Sequence, residues 1–447
     1  RQFGPAGVTV MANRNDVVGP ATSFTIAQHL SGDYRCNWWG SENGPNNPPP
    51  HGQYTPWAVQ PVAGTTSPCD PNVSLNSVRA CRGSPRGGNP WNAGSVVHAY
   101  HAVNAGGTVE ICNETHVVQD LHISKSVSFR GIGTGLPTLD AEGAFSVFRS
   151  FNTPVDIEVQ KLRLQGATEH TIHVNGIQSL TVEDSEILPF QTHAYQPSQE
   201  NYQESHMSGI GAFGDVGTIT VDSTTFLGGD IGVHVNVGCC SQDGLGSGNV
   251  TVRNSTFTGQ SNAGVFTGGG SPAYSLRVEN NSFLQCGRMG CTKFFAGNGG
   301  NAQYVGNRFN VNLTRPVRDV INVFIAEAGT MVVADNQITG ASNTGGPPLQ
   351  SSTYPIDGAA VRFTGPTVDV SGNTLTNAFK AMDLLPGSLT GQDNVVSHVG
   401  FVLAPLLAGC GTNKAITTAA PAPSNPFLEW FGVDEATVWR VMAELTA

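Results

Sequence analysis

Apolar and polar positions alternate in a short phrase that keeps returning along this chain. Two apolar residues stand two apart, a small polar cluster follows, then a Phe, Ile or Leu, then Gly or a polar turn. The phrase reads Ile219-Thr-Val-Asp-Ser-Thr-Thr-Phe-Leu-Gly, Val250-Thr-Val-Arg-Asn-Ser-Thr-Phe-Thr-Gly and Leu276-Arg-Val-Glu-Asn-Asn-Ser-Phe-Leu-Gln. Further copies start at Ile157, Leu180, Ala302, Met331, Val368 and Leu389. Starts lie roughly 20–40 residues apart, and this range with a firm floor marks one solenoid unit carrying inserted loops. Alternation of period two predicts strands with one buried face. Val250, Val252 and Phe257 then point one way, and Thr251 and Arg253 the other. A second short apolar strand follows each copy: Gly232-Val-His-Val, Gly264-Val-Phe, Thr292-Lys-Phe-Phe, Asn322-Val-Phe-Ile and Ala360-Val-Arg-Phe.

Between the two apolar sets of each copy stands one polar residue. It is Asn281, Asn307, Asn336, Asn373 and Asn394 in the later copies, and Ser185, Thr224 and Ser255 in earlier ones. Asn tolerates the left-handed backbone that a sharp bend needs. Stacked Asn side chains can also hydrogen-bond along a column. Short strands turned by Asn and Gly predict an all-β chain wound as a parallel β-helix. No coil can bury a core alone, so the coils must stack. Val96, Val97, Tyr100 and Val103 carry helical spacing ahead of Asn104-Ala-Gly-Gly and Thr108-Val-Glu-Ile-Cys. They predict an N-terminal capping helix that protects an open sheet edge.

This helix, Gly-Gly and strand entry, followed by His122-Ile-Ser-Lys-Ser-Val-Ser-Phe-Arg-Gly-Ile-Gly, resembles the start of the pectin-lyase-like superfamily. The resemblance covers roughly residues 92–411 and implies a right-handed parallel β-helix. That superfamily includes lyases, hydrolases, adhesins and structural proteins, so it implies fold rather than activity.

Residues 1–62 also fit the repeat, with Val10, Ala12, Asn15, Val17 and Gly19 in phase. Cys36-Asn-Trp-Trp-Gly-Ser-Glu-Asn-Gly-Pro-Asn and Tyr54-Thr-Pro-Trp57 resemble the segment that closes the β-helix in a class of bacterial surface repeat proteins. In that class the segment follows the last coil, whereas here it precedes the first. Three arrangements follow: a chain excised from a longer tandem protein, a closing coil donated to another copy, or self-capping. Coil donation is edge pairing, and a head-to-tail contact that does not close makes a filament. The closing coil would place Cys36, Trp38, Trp39 and Trp57 against a neighbour's open end at Cys410. The expected organisation is a closing coil over 1–62, a linker over 63–90, the β-helix over 91–411, an Ala/Pro linker over 412–426 and a C-terminal docking helix over 427–447. Asp434 can cap that short helix, and Val438, Val441, Met442 and Leu445 share one of its faces. Trp430 and Trp439 add apolar area for docking.

Composition narrows the function. A net charge of −11 argues against a nucleic-acid groove. No run of 18 or more apolar residues exists to span a membrane. Phe401-Val-Leu-Ala-Pro-Leu-Leu-Ala reads as a last buried strand. The first residue is Arg, as expected of a processed or excised chain. Nine cysteines point to disulfides and an extracellular or cell-surface location. Cys69 and Cys81 flank one loop, Cys286 and Cys291 another, Cys239 and Cys240 are adjacent, and an odd count leaves one over. The pairing stays open. Sequons stand at Asn72, Asn113, Asn249, Asn254, Asn280 and Asn312.

Catalytic chemistry is not spelled out. Asp215, Asp222 and Asp230 share a coil without the paired carboxylates of a hydrolase. Arg288, Lys293, Arg308, Arg315 and Arg318 could form a basic face, although such residues on outward strand positions are ordinarily solvated. The insert Phe190–Ser208 offers a carbohydrate rim of His193, Tyr195, Glu200, Tyr202, Glu204 and His206. The expected function is structural: a subunit of a surface fibre or long adhesin, partnered by other copies of itself and without a cofactor. The alternatives are a polysaccharide lyase or glycosidase working in the groove, with Ca²⁺ only in the lyase case, and a non-catalytic glycan-binding adhesin.

Overall fold

The structure is a computed structural model, and it describes residues 10–11, 32–33, 52–53, 75–82, 84, 91–188, 207–236, 248–269, 274–285, 290–296, 299–311, 319–325, 328–340, 356–397, 399 and 417–418. The chain divides into two compact units. The first comprises Arg1–Val118, Lys125–Leu139 and Asp156–Leu162; the second Gln119–Ser124, Asp140–Val155 and Arg163–Ala447.

In the first unit, three two-residue strands, Val10–Met11, Gly32–Asp33 and Gly52–Gln53, pair in parallel. A separate strand, Ser77–Ala80, pairs in parallel with Trp91–Asn92 and with Gly107–Cys112. Gly107–Cys112 pairs with Val127–Ile132, and that strand with Asp156–Gln160. Ser77–Ala80 lies within the segment expected to be a linker and ahead of the helix. Strand pairing in this unit therefore begins before the helix, and Cys81 bonds to Cys112 rather than to a cysteine across its own loop.

The helix spans Val96–Ala102. Ser95 caps it by accepting from the His98 N–H at 3.3 Å. Val96, Ala99, Tyr100 and Ala102 form its buried face. Its C-terminal end is met by Lys125, whose ammonium hydrogen-bonds the Val103 carbonyl and lies 5.0 Å from the Tyr100 ring centroid. A cation there opposes the negative end of the helix dipole. Burial pushes the Lys125 amine down to about 8.

The second unit is a right-handed parallel β-helix with three strands per coil. One coil reads Thr218–Asp222, Thr225–Leu227 and Ile231–Asn236, and the next repeats it at Asn249–Arg253, Thr256–Thr258 and Ala263–Gly269. All three strands pair in register with the coil above: Ile219 with Val250, Phe226 with Phe257 and Val233 with Val265. Near the end, Ile356–Ser371 and Ala378–Thr390 each run through as one long strand.

Register makes identical residues stack inside. Phe226, Phe257, Phe283 and Phe309 are all buried, and successive rings lie 4.7, 4.8 and 4.7 Å apart and nearly parallel. The bends hold the second ladder. Asn307 Oδ1 accepts from the backbone N–H and the side-chain Nδ2 of Asn281, both at 3.0 Å. Asn336, Asn373 and Asn394 repeat this contact downward. Each Nδ2 also reaches a backbone carbonyl, as Asn307 does to Val278 at 2.8 Å.

One expectation about these residues fails. The left-handed position is the residue before the ladder: Asp184, Ser223, Asn254, Asn280, Asp335 and Asp393 have φ between 49° and 58°, and Gly306 and Gly372 have φ of 65° and 67°. The bend turns on that exposed residue, which leaves the ladder Asn free to point inward. At 306 and 372 a Cβ would come within 2.5 and 2.3 Å of Asn280 Oδ1 and Asp335 Oδ1, so any other residue there would push those side chains aside.

Candidate functional site

The third strand of each coil in the second unit builds one sheet whose outward positions differ in kind from the rest of the surface. Alternation sends every second side chain out. One outward column, read through the strand registers, is His122, Arg149, His173, Gly211, His234, Phe266, Lys293, Asn322, Arg362 and Asp383. The column two residues on is Phe151, Asn175, Phe213, Asn236, Gly268, Phe295, Phe324 and Thr364. Together they form an aromatic and cationic stripe along the stacking direction.

The rings of the stripe touch in sequence. His122 stacks on Phe151 at 6.3 Å, and Phe151 meets His173 edge-on at 5.0 Å. His173 meets Phe213 at 5.4 Å, Phe213 meets His234 at 5.3 Å, and His234 meets Phe266 at 5.1 Å. Lys293 places its ammonium 5.7 Å from the Phe266 centroid and 4.7 Å from that of Phe295. Phe295 leads to Phe324 at 6.3 Å. Such contacts between rings and cations stabilise the face and fix ring orientation.

Glycine at 211 leaves room for a neighbouring ring: a Cβ there would come within 2.7 Å of the His170 ring. His170 is buried, and its Nδ1 lies 2.6 Å from Ser208 Oγ. It packs 4.8 Å from His173 and 5.3 Å from Phe213 and so joins the rings of the stripe.

Charge is unevenly distributed along the stripe. Burial, helped by the Arg149 guanidinium and opposed by Asp120, pushes the His173 imidazole down to about 4. His173 is therefore neutral near pH 7 and lies beside a permanent cation. Arg149 Nε and His173 Nδ1 are both buried without a hydrogen-bond partner. At the other end the charges are paired. Asp319 accepts from the Ala359 N–H at 3.0 Å and from Asn322 Nδ2 at 3.2 Å, and lies 3.5 Å from Arg362. Lys380 pairs with Asp383 at 3.1 Å.

No protein-family model and no curated protein matches the chain. A solved structure described as a new PL6 alginate lyase in complex with a trisaccharide is similar over 73% of this chain and 86% of its own, at 10% identity and a TM-score of 0.39. The fold here rests on the strand registers, and the site on its own geometry.

The residues singled out from the sequence fall in three groups. Asn281, Asn307, Asn336, Asn373 and Asn394 come together as the buried ladder. Cys36, Trp38, Trp39, Trp57, Cys410, Trp430 and Trp439 lie outside the described residues, as do His193, Tyr195, Glu200, Tyr202, Glu204, His206, Arg288, Arg315 and Arg318. The Trp-Trp-Gly closing segment, the strand expected at 401–408 and the C-terminal docking helix lie outside them too. The remainder separate. Lys293 is on the stripe and only 7% exposed, not solvated as outward lysines usually are. Arg308 is exposed on the neighbouring sheet of second strands. Asp222 binds Arg253 at 2.8 Å. Burial pushes the Asp222 carboxyl up, but hydrogen bonds from Asn254, Ser223 and Arg253 outweigh this and hold it below the usual carboxylate range. Asp230 is buried against Ser261, and Asp215 is exposed elsewhere on that coil.

Among the described residues, no group of three His, Cys, Asp or Glu side chains is set to hold a metal ion. No helix among the described residues is long and apolar enough to cross a membrane.

Proposed function

We propose that the protein is an extracellular glycan-binding β-helix that lays an extended anionic polysaccharide along the stripe. The observation that carries this reading is the column of His122, Arg149, His173, His234, Phe266, Lys293 and Arg362 beside Phe151, Phe213, Phe295 and Phe324. Aromatic faces suit the C–H faces of sugar rings, and cations suit carboxylate or sulfate groups. Neighbouring coils lie about 4.8 Å apart, close to the length of one sugar ring, so successive coils address successive rings. The Cys81–Cys112 disulfide supports an oxidising, extracellular setting. A panel of immobilised anionic and neutral polysaccharides tests the reading. Retention on the anionic members, weakened by salt, is expected; equal retention on neutral ones would contradict it.

Cleavage is the second reading, favoured by one pair. Abstraction of a proton beside a carboxylate needs a neutral base and a cation that tempers the carboxylate. His173 and Arg149, on adjacent coils, place an imidazole beside a guanidinium. Release of unsaturated, ultraviolet-absorbing uronates that is lost in His173→Gln would establish it. Unaltered polymer length after prolonged incubation would leave a binding module.

A third reading is head-to-tail assembly, in which the N-terminal segment, where Val10 pairs in parallel with Gly32 and Gly32 with Gly52, would be donated to another copy. Electron microscopy of the full chain beside a version lacking residues 1–62 tests it. Filaments that vanish with the deletion support head-to-tail assembly, and short particles in both samples oppose it.

A further inference from the structure

Phe151 and Phe324 are 38% and 40% exposed, the two large aromatic side chains left most open among the described residues. Exposed apolar residues scattered singly are ordinary. These two are not scattered: both belong to one outward column, which runs Phe151, Asn175, Phe213, Asn236, Gly268, Phe295 and Phe324. The steps between them amount to about 29 Å at roughly 4.8 Å per coil. Phe213 and Phe295, between them, are only half-buried members of the same line. Each open ring is also held by neighbours. Phe151 lies between His122 at 6.3 Å and His173 at 5.0 Å, and Phe324 leans on Phe295 at 6.3 Å.

Resting on the glycan reading above, we infer that Phe151 and Phe324 are the two end platforms of one linear site, which selects its ligand by length. A chain of about six or seven rings reaches from one platform to the other at one ring per coil. A shorter chain engages one platform at a time. A chain that spans both gains the second contact at high effective concentration, so affinity rises in a step rather than smoothly. Arg149 and Lys293 stand in the adjacent column, one coil from the plane of each platform or nearer, and tie the chain's anionic groups between the two ends.

Calorimetric titration of the full chain with size-fractionated oligouronates, from dimer to decamer, tests this. The dissociation constant should fall by about tenfold or more between the tetramer and the heptamer and then level off. Phe151→Ala and Phe324→Ala should each abolish the step, leaving the heptamer bound no more tightly than the tetramer. Phe151→Trp should retain it, which guards against reading a folding defect as lost binding. A smooth rise with length, or a step that survives both Ala variants, would overturn the inference while leaving glycan binding intact. A step seen with neutral oligosaccharides and not with uronates would uphold the platforms and overturn the anionic assignment. Absence of binding at every length, charged or neutral, would overturn both.

Discussion

The bends and the third-strand face of the second unit are built by the same register, yet they carry opposite kinds of column. At the bends, Asn281, Asn307, Asn336, Asn373 and Asn394 repeat one residue and one contact. Beside them Phe226, Phe257, Phe283 and Phe309 repeat one ring. On the outward face no residue type repeats for long: His122, Arg149, His173, Gly211, His234, Phe266, Lys293, Asn322 and Arg362 follow one another. Stacking explains the first pattern. Every buried coil meets the same neighbour above and below, so the same residue solves the same problem. It does not explain the second, because outward positions are free to vary. The proposed function rests on the run of ring and cation contacts there, from His122 to Phe324.

Substitutions should separate the two columns cleanly. The largest effect belongs inside. Phe257→Ala removes a ring stacked between two others and should lower unfolding free energy by about 3–5 kcal/mol, read by denaturant titration. Asn307→Ala comes next. It removes the acceptor of the Asn281 N–H and one of the two acceptors of Asn281 Nδ2, which keeps the Val252 carbonyl, and it removes a donor from the Val278 carbonyl, at about 1–3 kcal/mol for a buried group left unsatisfied. Outside, Arg149→Ala should shift stability little and weaken binding of an anionic polysaccharide by roughly 1.5–3 kcal/mol, the range for hydrogen bonds to charged groups. A large loss of stability there would blur the comparison and make Arg149 a structural residue.

A pH dependence of stability is also expected from His173. Its folded value of about 4 lies below its ordinary 6.5, so between those values the unfolded chain binds more protons than the folded one. This stabilisation is complete above pH 6.5 and is lost as pH falls toward 4. Burial lowers His101 and His116 in the same direction, so the slope should be shallower, not absent, in His173→Phe.

The fold was legible in the sequence because burial forces periodicity. Val250, Val252 and Phe257 mark a strand, a bend and a strand without any alignment, and the ladder Asn residues stand at a fixed offset from each start. The bend itself was misplaced by one residue, since the left-handed position accepts Asp, Ser, Asn or Gly alike and leaves no single-letter trace. Ser77–Ala80 escaped because Gly and Pro crowd the segment that follows it, a composition that reads as linker. The stripe was hidden for a different reason. Val-His-Val, Val-Phe and Lys-Phe-Phe look like apolar runs, and an apolar run reads as fully buried. The signal that could have exposed it was one residue in each run, His234, Phe266 and Lys293, which alternation sends outward. Arg149 and His173 belong to coils where the second strands were not read at all, so the column could not be assembled from sequence.

The account stands or falls on whether this face holds an anionic chain. We would titrate a polyuronate into the wild-type protein and into the Arg149→Ala, Lys293→Gln double variant by calorimetry at low and high salt. The account predicts saturable binding to the wild type, weakened by salt, and at least tenfold weaker binding to a folded double variant, about 1.4 kcal/mol or more. Equal affinity for both proteins, or no heat with the wild type, would contradict it.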